Sequence, residues 1–143
     1  VGEGASAIAG GAHANEIDIV WAEAVLGSVG LVVRVPESQL DVVTGLAGSG
    51  PAYLFLVAEA LMDAGVASGL PRDTAEILVR QLFVGSAKLL AEGQAPADLR
   101  ASVTSPGGTT AAGVAVLETE AVRAAFIQAV TAATERSREL GNR

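Results

Sequence analysis

The segment from about Pro51 to Val66 reads as one long helix that is apolar around nearly its whole circumference. Its apolar residues include Leu54, Phe55, Leu56, Val57, Leu61 and Met62. Glu59 interrupts the densest run, so we expect no apolar stretch of the roughly 18 residues that a bilayer requires. A helix that is apolar on all sides must be buried on all sides. Since a domain of about 100 residues rarely encloses one helix by itself, we expect a second subunit to cover part of it.

Composition excludes several classes of function. Apolar residues make up 50% of the 143 residues and charged residues 17%. The net charge is −7, and without a basic cluster the chain is a poor candidate for nucleic acid, whose phosphates require Lys and Arg. With no cysteine and one histidine, His13, we expect neither a disulfide nor a metal site. We also expect no membrane partner and a cytoplasmic location, with which the lack of cysteine is compatible.

The first 35 residues predict a different architecture from the rest. Residues 5–9 predict a strand, the spacing of apolar residues from Ile17 to Val25 predicts a helix, and the β-branched run 31–35 predicts a second strand. This order is typical of the end of an α/β unit. After Pro36 only helical patterns remain. They cover 40–46, 51–66, a segment that starts near Pro71, 96–103, 111–117 and 121–140, with a break expected at 48–51.

Two of these helices carry apolar stripes, and we expect the stripe of the last helix to face inward. On the helix that starts near Pro71 the stripe is Leu78, Leu82, Gly85 and Leu89, and on the last helix it is Val122, Phe126, Val130 and Ala133.

The segment Thr104–Thr110, with the sequence TSPGGTT, is the strongest candidate for a binding site. Its hydroxyl and amide groups can be directed toward one point, and the helix that follows adds the partial positive charge of its N-terminus. Such a turn can hold a small carboxylate or phosphate without Lys or Arg. A simple connection, with glycine at positive φ and a hydroxyl that caps the helix, explains the same residues equally well.

The other candidates have simpler structural interpretations. His13 is interpreted as a surface or capping residue. Residues 48–51 lack the lysine of a phosphate-binding loop and are better explained as a kink where two helices cross closely, with Tyr53 packed nearby. Glu59 and Asp63 could form an acid/base pair, but solvated or hydrogen-bonded carboxylates explain them more simply. An anion-binding turn without a clear acid, base or nucleophile suits chemistry that a cofactor supplies.

Along essentially its whole length the chain resembles the C-terminal half of pyrroline-5-carboxylate reductase. The motifs that carry the resemblance are VPE at 35–37, DVVTGLAGSGPAY at 41–53, DAGV at 63–66, GLPR at 69–72, VTSPGGTT at 103–110 and ATERSREL at 133–140. That family joins a Rossmann domain to a helical domain that interlocks with a second subunit. The resemblance implies a mainly α chain: residues 1–36 are the strand–helix–strand remnant of the dinucleotide-binding domain, and residues 37–143 are a helical bundle for dimerisation and substrate binding.

The reaction that the resemblance implies is the reduction of 1-pyrroline-5-carboxylate to L-proline, the last step of proline biosynthesis. The cofactor is NADPH or NADH, and the enzyme is a homodimer or a larger assembly of dimers. The resemblance assigns the substrate carboxylate to the backbone N–H groups of Gly107, Gly108 and Thr109 and to the Ser105 hydroxyl. It assigns the ring nitrogen to the hydroxyl of Thr110, the expected catalytic residue. The chain departs from many members at Ala95, where they carry a histidine.

The G-x-G-x-x-G fingerprint of a dinucleotide site is absent. We therefore expect the cofactor-binding residues upstream of Val1, and no reductase activity from the 143 residues alone. Two other interpretations remain open. One is a non-catalytic helical dimerisation module whose turn is only a connection. The other is a reductase of a hydroxy acid or another imine with the same plan. Such enzymes generally use a lysine as proton donor, and the one lysine, Lys88, falls in mid-helix, far from the turn.

Overall fold

The computed structural model describes residues 2–141 and is mainly α-helical, as predicted. Its elements in chain order are β1 Gly4–Ile8, α1 Glu16–Gly27, β2 Gly30–Arg34, α2 Leu40–Val43, α3 Gly50–Ala67, α4 Arg72–Ala91, α5 Pro96–Ser102, α6 Thr109–Thr119 and α7 Val122–Gly141. A 3-10 turn, Glu37–Gln39, precedes α2, and a π-helical turn, Thr44–Gly48, follows it. Residues 2–51 with 124–141 form one compact unit, and residues 52–123 form another.

The opening strand–helix–strand forms as predicted. The strands β1 and β2 pair in parallel, from Gly4 opposite Gly30 to Ile8 opposite Arg34, and α1 makes the connection between them. The helix begins at Asn15, whose side chain accepts hydrogen bonds from the N–H groups of Ile17 and Asp18 at 2.8 and 3.3 Å. The Asp18 carboxylate accepts the Asn15 N–H at 2.9 Å, which completes a capping box.

Arg34, at the end of β2, forms ion pairs with two residues of α1. Its guanidinium donates to Glu23 at 2.6 Å and to Glu16 at 2.7 Å. The hydrogen bond from Arg34 to Glu23 holds the pKa of Glu23 below its ordinary value. The cluster is exposed, so its contribution to stability is small.

In the first unit, α7 packs against the helical segment 40–48. The closest approach is at Gly45, where a Cβ would lie 2.5 Å from Thr134 Oγ1 and 2.9 Å from the Val130 carbonyl oxygen. Nearby, the Ser137 hydroxyl donates to the Asp41 carboxylate at 2.6 Å. Thr134 is 6% exposed, and its hydroxyl donates to the Val130 carbonyl at 2.8 Å. We refer to the contacts among these five residues as the Gly45 seam.

The break expected at residues 48–51 is limited to a bend at Ser49, between the π turn and α3. The Ser49 N–H donates to the Thr44 carbonyl at 2.8 Å, five residues back, so the chain widens into a π turn and continues as helix. The predicted close helix crossing is present, but Gly45 provides it. A Cβ at Gly48 would meet only Thr44 Cγ2 at 3.7 Å, and one at Gly50 would meet nothing within 4 Å.

The continuous helical stretch Glu37–Ala67 is 31 residues long, and its most apolar window has a mean hydropathy of 1.4. By length and composition alone it could cross a membrane, contrary to the expectation from uninterrupted apolar runs. Only 6% of that window is buried. A helix that another subunit covers has the same length and composition.

In the second unit, α3 and α4 pack closely where Gly65 meets Ala75. A Cβ at Gly65 would lie 3.4 Å from the Ala75 Cβ, and Ala75 and Val79 are the buried residues of α4. The apolar stripe of α4 is exposed in this chain by itself, because Leu78, Leu82 and Leu89 are 55%, 54% and 48% exposed.

On α7, which belongs mainly to the first unit, Val122, Val130 and Ala133 are half-buried, as the predicted stripe requires. Phe126 departs from that prediction, because 41% of it is exposed.

Burial is sparse throughout the described chain. Among residues 2–141 only Gly45, Ala75, Val79 and Thr134 are buried. The chain exposes 10406 Å², whereas a folded monomer of this mass typically exposes about 6,800 Å². The apolar helix α3, which we expect a second subunit to cover in part, is exposed as well. Its residues Leu54, Phe55 and Leu56 are 55–66% exposed.

Candidate functional site

The candidate site is the connection between α5 and α6. The Thr104 hydroxyl donates to the Arg100 carbonyl at 2.6 Å and its N–H donates to the Ala101 carbonyl at 3.1 Å, which ends α5. The next helix begins at Thr109 rather than at the predicted Ala111. Thr109 and Thr110 therefore lie in the first turn of α6, where backbone N–H groups have no partner within the helix.

Residues 105–108 form a hydrogen-bonded β-turn. The Gly108 N–H donates to the Ser105 carbonyl at 3.0 Å, with Pro106 at the second position and Gly107 at the third. Gly107 has a φ of +68°, the left-handed value that the third position of a type II turn requires, and proline fixes the φ before it. The prediction that a glycine supplies positive φ here is confirmed at Gly107.

The backbone N–H groups of the turn differ in availability. The Gly108 N–H was expected to bind a ligand carboxylate, but it closes the β-turn instead. No hydrogen bond within residues 2–141 engages the N–H of Gly107, Thr109 or Thr110. Gly108 is the residue that caps α6, and the cap has no side-chain hydrogen bond. Three of these four amides can therefore donate to a ligand.

The hydroxyl groups of Thr109 and Thr110 set them apart from the other threonines of the described chain. Each of the others makes a hydrogen bond through its hydroxyl: Thr44, Thr74, Thr104, Thr119, Thr131 and Thr134. Within residues 2–141 the hydroxyls of Thr109, Thr110 and Ser105 engage no partner. All three residues are exposed. The turn thus combines uncommitted neutral donors with the positive end of a helix.

The arginines nearest to the turn in the sequence, Arg100 and Arg123, are occupied. Glu118, at the end of α6, accepts from Arg123 at 2.7 and 2.9 Å and pairs with Arg100 at 3.6 Å. The hydrogen bonds from Arg123 hold the pKa of Glu118 below its ordinary value. This cluster connects α5 to the far end of α6, and an anion at the turn would depend on neutral donors.

The other sequence candidates do not assemble into a site. Asp63 pairs with Arg72 at 2.7 Å, which favours the simpler interpretation of the Glu59–Asp63 pair. His13 lies in an exposed turn between β1 and α1, and Lys88 is exposed in the last turn of α4. Within residues 2–141 no group of three or more His, Asp or Glu side chains is arranged to hold a metal ion.

Comparison with known proteins decides the family. Residues 37–140 match the family model described as pyrroline-5-carboxylate reductase dimerisation. The chain belongs to this family. It is 50% identical to the pyrroline-5-carboxylate reductase of Synechocystis sp. over 100% of its length and 54% of the relative's. It is 49% identical to that of Arabidopsis thaliana over 98% of its length and 51% of the relative's.

Solved reductase structures have the same fold. A pyrroline-5-carboxylate reductase from Coxiella burnetii matches with a TM-score of 0.92 and 41% identity, over 97% of this chain and 52% of that one. The Plasmodium falciparum pyrroline carboxylate reductase, solved with NADP bound, matches with a TM-score of 0.88 and 34% identity, over 98% and 54%. The chain therefore spans about half the length of the reductases it matches.

The N-terminus of α1 does not fit the pyrophosphate of a dinucleotide. In a dinucleotide fold the pyrophosphate sits on the N-terminus of a helix that follows a strand, and α1 is the described helix in that position. Asn15 already accepts the first N–H groups of α1, and Glu16 and Asp18 place two carboxylates in its first turn. These carboxylates would repel phosphates.

Sequence reasoning missed the Gly45 seam. Gly45 and Asp41 lie about 90 residues from Thr134 and Ser137 in the sequence, and no local pattern joins them. Thr134 inside an otherwise apolar helical face was the available signal, because a buried threonine implies a close neighbour and an internal hydrogen bond.

Proposed function

We propose that this chain is the dimerisation and substrate-binding part of an enzyme that reduces 1-pyrroline-5-carboxylate to L-proline with NAD(P)H. Family membership and identity near 50% to reductases of that name support the proposal. We keep the expected boundary, with residues 1–36 as the end of the dinucleotide-binding domain and 37–143 as the helical domain. The dinucleotide would be held by parts of the enzyme that this chain does not span. A cytoplasmic location stays part of the proposal.

The observation that carries the proposed site is the set of uncommitted donors at residues 105–110. The N–H groups of Gly107 and Thr109, with the Ser105 hydroxyl, would bind the substrate carboxylate. The Thr110 hydroxyl would hydrogen-bond the ring nitrogen and orient it as it gains a proton. Fixed neutral donors at a helix N-terminus stabilise such an anion without a basic side chain.

A homodimer is part of the same proposal. The chain exposes roughly 3,600 Å² more surface than a typical folded monomer of its mass. The exposed surface includes large apolar side chains such as Phe55 and Leu56, each 66% exposed. Apolar patches of this extent mark interfaces. A second copy over α3 and α4 would also cover Leu78 and Leu82, two residues of the apolar stripe on α4.

The test uses Thr110→Val in the full-length protein, with Thr119→Val as the matched control. Both threonines lie in α6, but the Thr119 hydroxyl donates to the Ala115 carbonyl at 2.9 Å and so is already engaged. Thr110→Val should lower kcat/KM for 1-pyrroline-5-carboxylate by roughly tenfold to a hundredfold. Thr119→Val should change it less than about threefold. Equal effects at the two positions would remove Thr110 from the mechanism.

Titration with L-proline separates this proposal from a non-catalytic dimerisation module. A turn that is only a connection has no reason to bind the amino acid. We expect saturable binding by the full-length protein that Thr110→Val weakens and Thr119→Val does not. Absence of binding by the wild-type protein would refute the proposed site.

A further inference from the structure

Gly107 and Gly108 are adjacent, yet the structure requires glycine at them for different reasons. Gly107 has a φ of +68°, where a side chain is strained whatever the space around it. Gly108 has φ −79° and ψ 172°, an extended conformation that any residue adopts. Backbone conformation therefore does not explain glycine at position 108.

The Ser105 side chain explains it. A Cβ at position 108 would overlap with Ser105 Oγ and would lie 3.1 Å from the Ser105 carbonyl oxygen and 3.6 Å from Ser105 Cβ. The carbonyl oxygen is held by the turn hydrogen bond from the Gly108 N–H, at 3.0 Å. Pro106 limits how far the turn can open. The group that must yield to a side chain at 108 is thus the Ser105 hydroxyl.

We propose that Gly108 is a positioning residue: because it lacks a Cβ, the Ser105 hydroxyl has room to lie at the N-terminus of α6. This inference rests on the proposed function, because the Ser105 hydroxyl is one of the donors assigned to the substrate carboxylate. It replaces the role first expected of Gly108, whose own N–H is engaged in the turn. Gly108 acts through Ser105, and its contribution should vanish when the Ser105 hydroxyl is absent.

A double-mutant cycle in the full-length protein tests this dependence, with the dissociation constant for L-proline as the readout. Gly108→Ala and Ser105→Ala should each raise that constant by about two- to tenfold, the effect of one lost hydrogen bond. In the Ser105→Ala background, Gly108→Ala should raise it less than about twofold further, because no hydroxyl remains to be displaced.

Gly107→Ala is the control, because its strain comes from φ and not from Ser105. Its effect on proline binding should be the same factor in the wild-type and Ser105→Ala backgrounds. If Gly108→Ala also has its full effect in both, the positioning role is refuted while the proposed site stands. If the wild-type protein does not bind proline, both proposals fail.

Folding of the variants gives a second readout. If Gly108→Ala fails to fold, the Ser105→Ala/Gly108→Ala double variant should fold, since the overlapping oxygen is gone. Failure of both variants would overturn the proposal, because the obstacle would then lie in the turn backbone.

Discussion

Two glycine-rich segments of this chain look alike in sequence and differ in what their glycines do. Residues 44–51 read TGLAGSGP and residues 104–110 read TSPGGTT. In the first, the helix continues and Gly45 makes room for Thr134 and the backbone of α7. In the second, the helix stops, Gly107 adopts a left-handed conformation, and the hydroxyls of Thr109 and Thr110 engage nothing in the described chain.

The difference shows how to separate a structural glycine motif from a binding one. In the first segment the Thr44 hydroxyl donates to the Leu40 carbonyl at 3.0 Å and the glycine faces packed protein. In the second segment polar groups remain available, on an exposed surface. A glycine beside satisfied groups indicates packing, and a glycine beside uncommitted donors indicates a ligand.

The largest effect on stability should come from Gly45→Ala. Its Cβ would lie 2.5 Å from Thr134 Oγ1 and 3.0 Å from the Thr134 backbone nitrogen, so α7 must move. We expect a loss of about 2–3 kcal/mol in the free energy of unfolding, as for other overpacked sites. Urea denaturation followed by circular dichroism would measure it.

Gly48→Ala is the control for that prediction, because a Cβ at position 48 meets only Thr44 Cγ2 at 3.7 Å. It lies in the same π turn and should be neutral or slightly stabilising, since alanine is the better helix former. A similar loss at both positions would show that the π turn, and not the Gly45 seam, is sensitive.

Much of this fold was predictable because its signals are local. The strand at 4–8, the helix caps and the starts at Arg72 and Pro96 follow from short patterns of β-branched residues, Gly, Pro and charge. The break expected at 48–51 is only a bend at Ser49, since glycine is compatible with a π turn as well as with a helix end. The apolar stripe on α4 is exposed in the described chain, which a pattern of apolar residues does not reveal. Within the site, residue types predicted donors, but which amide closes the turn depended on coordinates.

Backbone conformation at the turn of residues 105–108 should have the next largest effect on stability. Gly107→Ala should cost about 1 kcal/mol in the free energy of unfolding, because alanine is strained at a φ of +68°. Ala121, between α6 and α7, has a φ of +54°. There the reverse exchange, Ala121→Gly, should stabilise the protein by somewhat less than about 1 kcal/mol, because glycine also has more freedom in the unfolded chain.

Thermal and urea unfolding of the two variants would check these opposite signs. Ala121→Gly should leave proline binding unchanged, whereas Gly107→Ala should weaken it, because the Gly107 N–H belongs to the proposed site. If Gly107→Ala costs stability but binds proline like the wild type, the turn is a connection like the first segment, and the comparison fails.

The smallest effect on stability should come from the ion pairs of Glu118, at the end of α6. Glu118 is 44% exposed and accepts from Arg123, which lowers its folded-state pKa. A carboxylate with a lowered pKa stabilises the fold above its unfolded pKa of roughly 4.3, and the contribution is lost as the pH falls through the folded value.

The melting temperature of Glu118→Gln should therefore lie slightly below that of the wild type at pH 7. The gap should close as the pH falls below about 4, and also in high salt. The deficit of Gly45→Ala arises from overlap and should not change over this range. A gap for Glu118→Gln that neither narrows as the pH falls nor shrinks in high salt would mean that the Glu118 side chain stabilises the fold by packing and not by its charge.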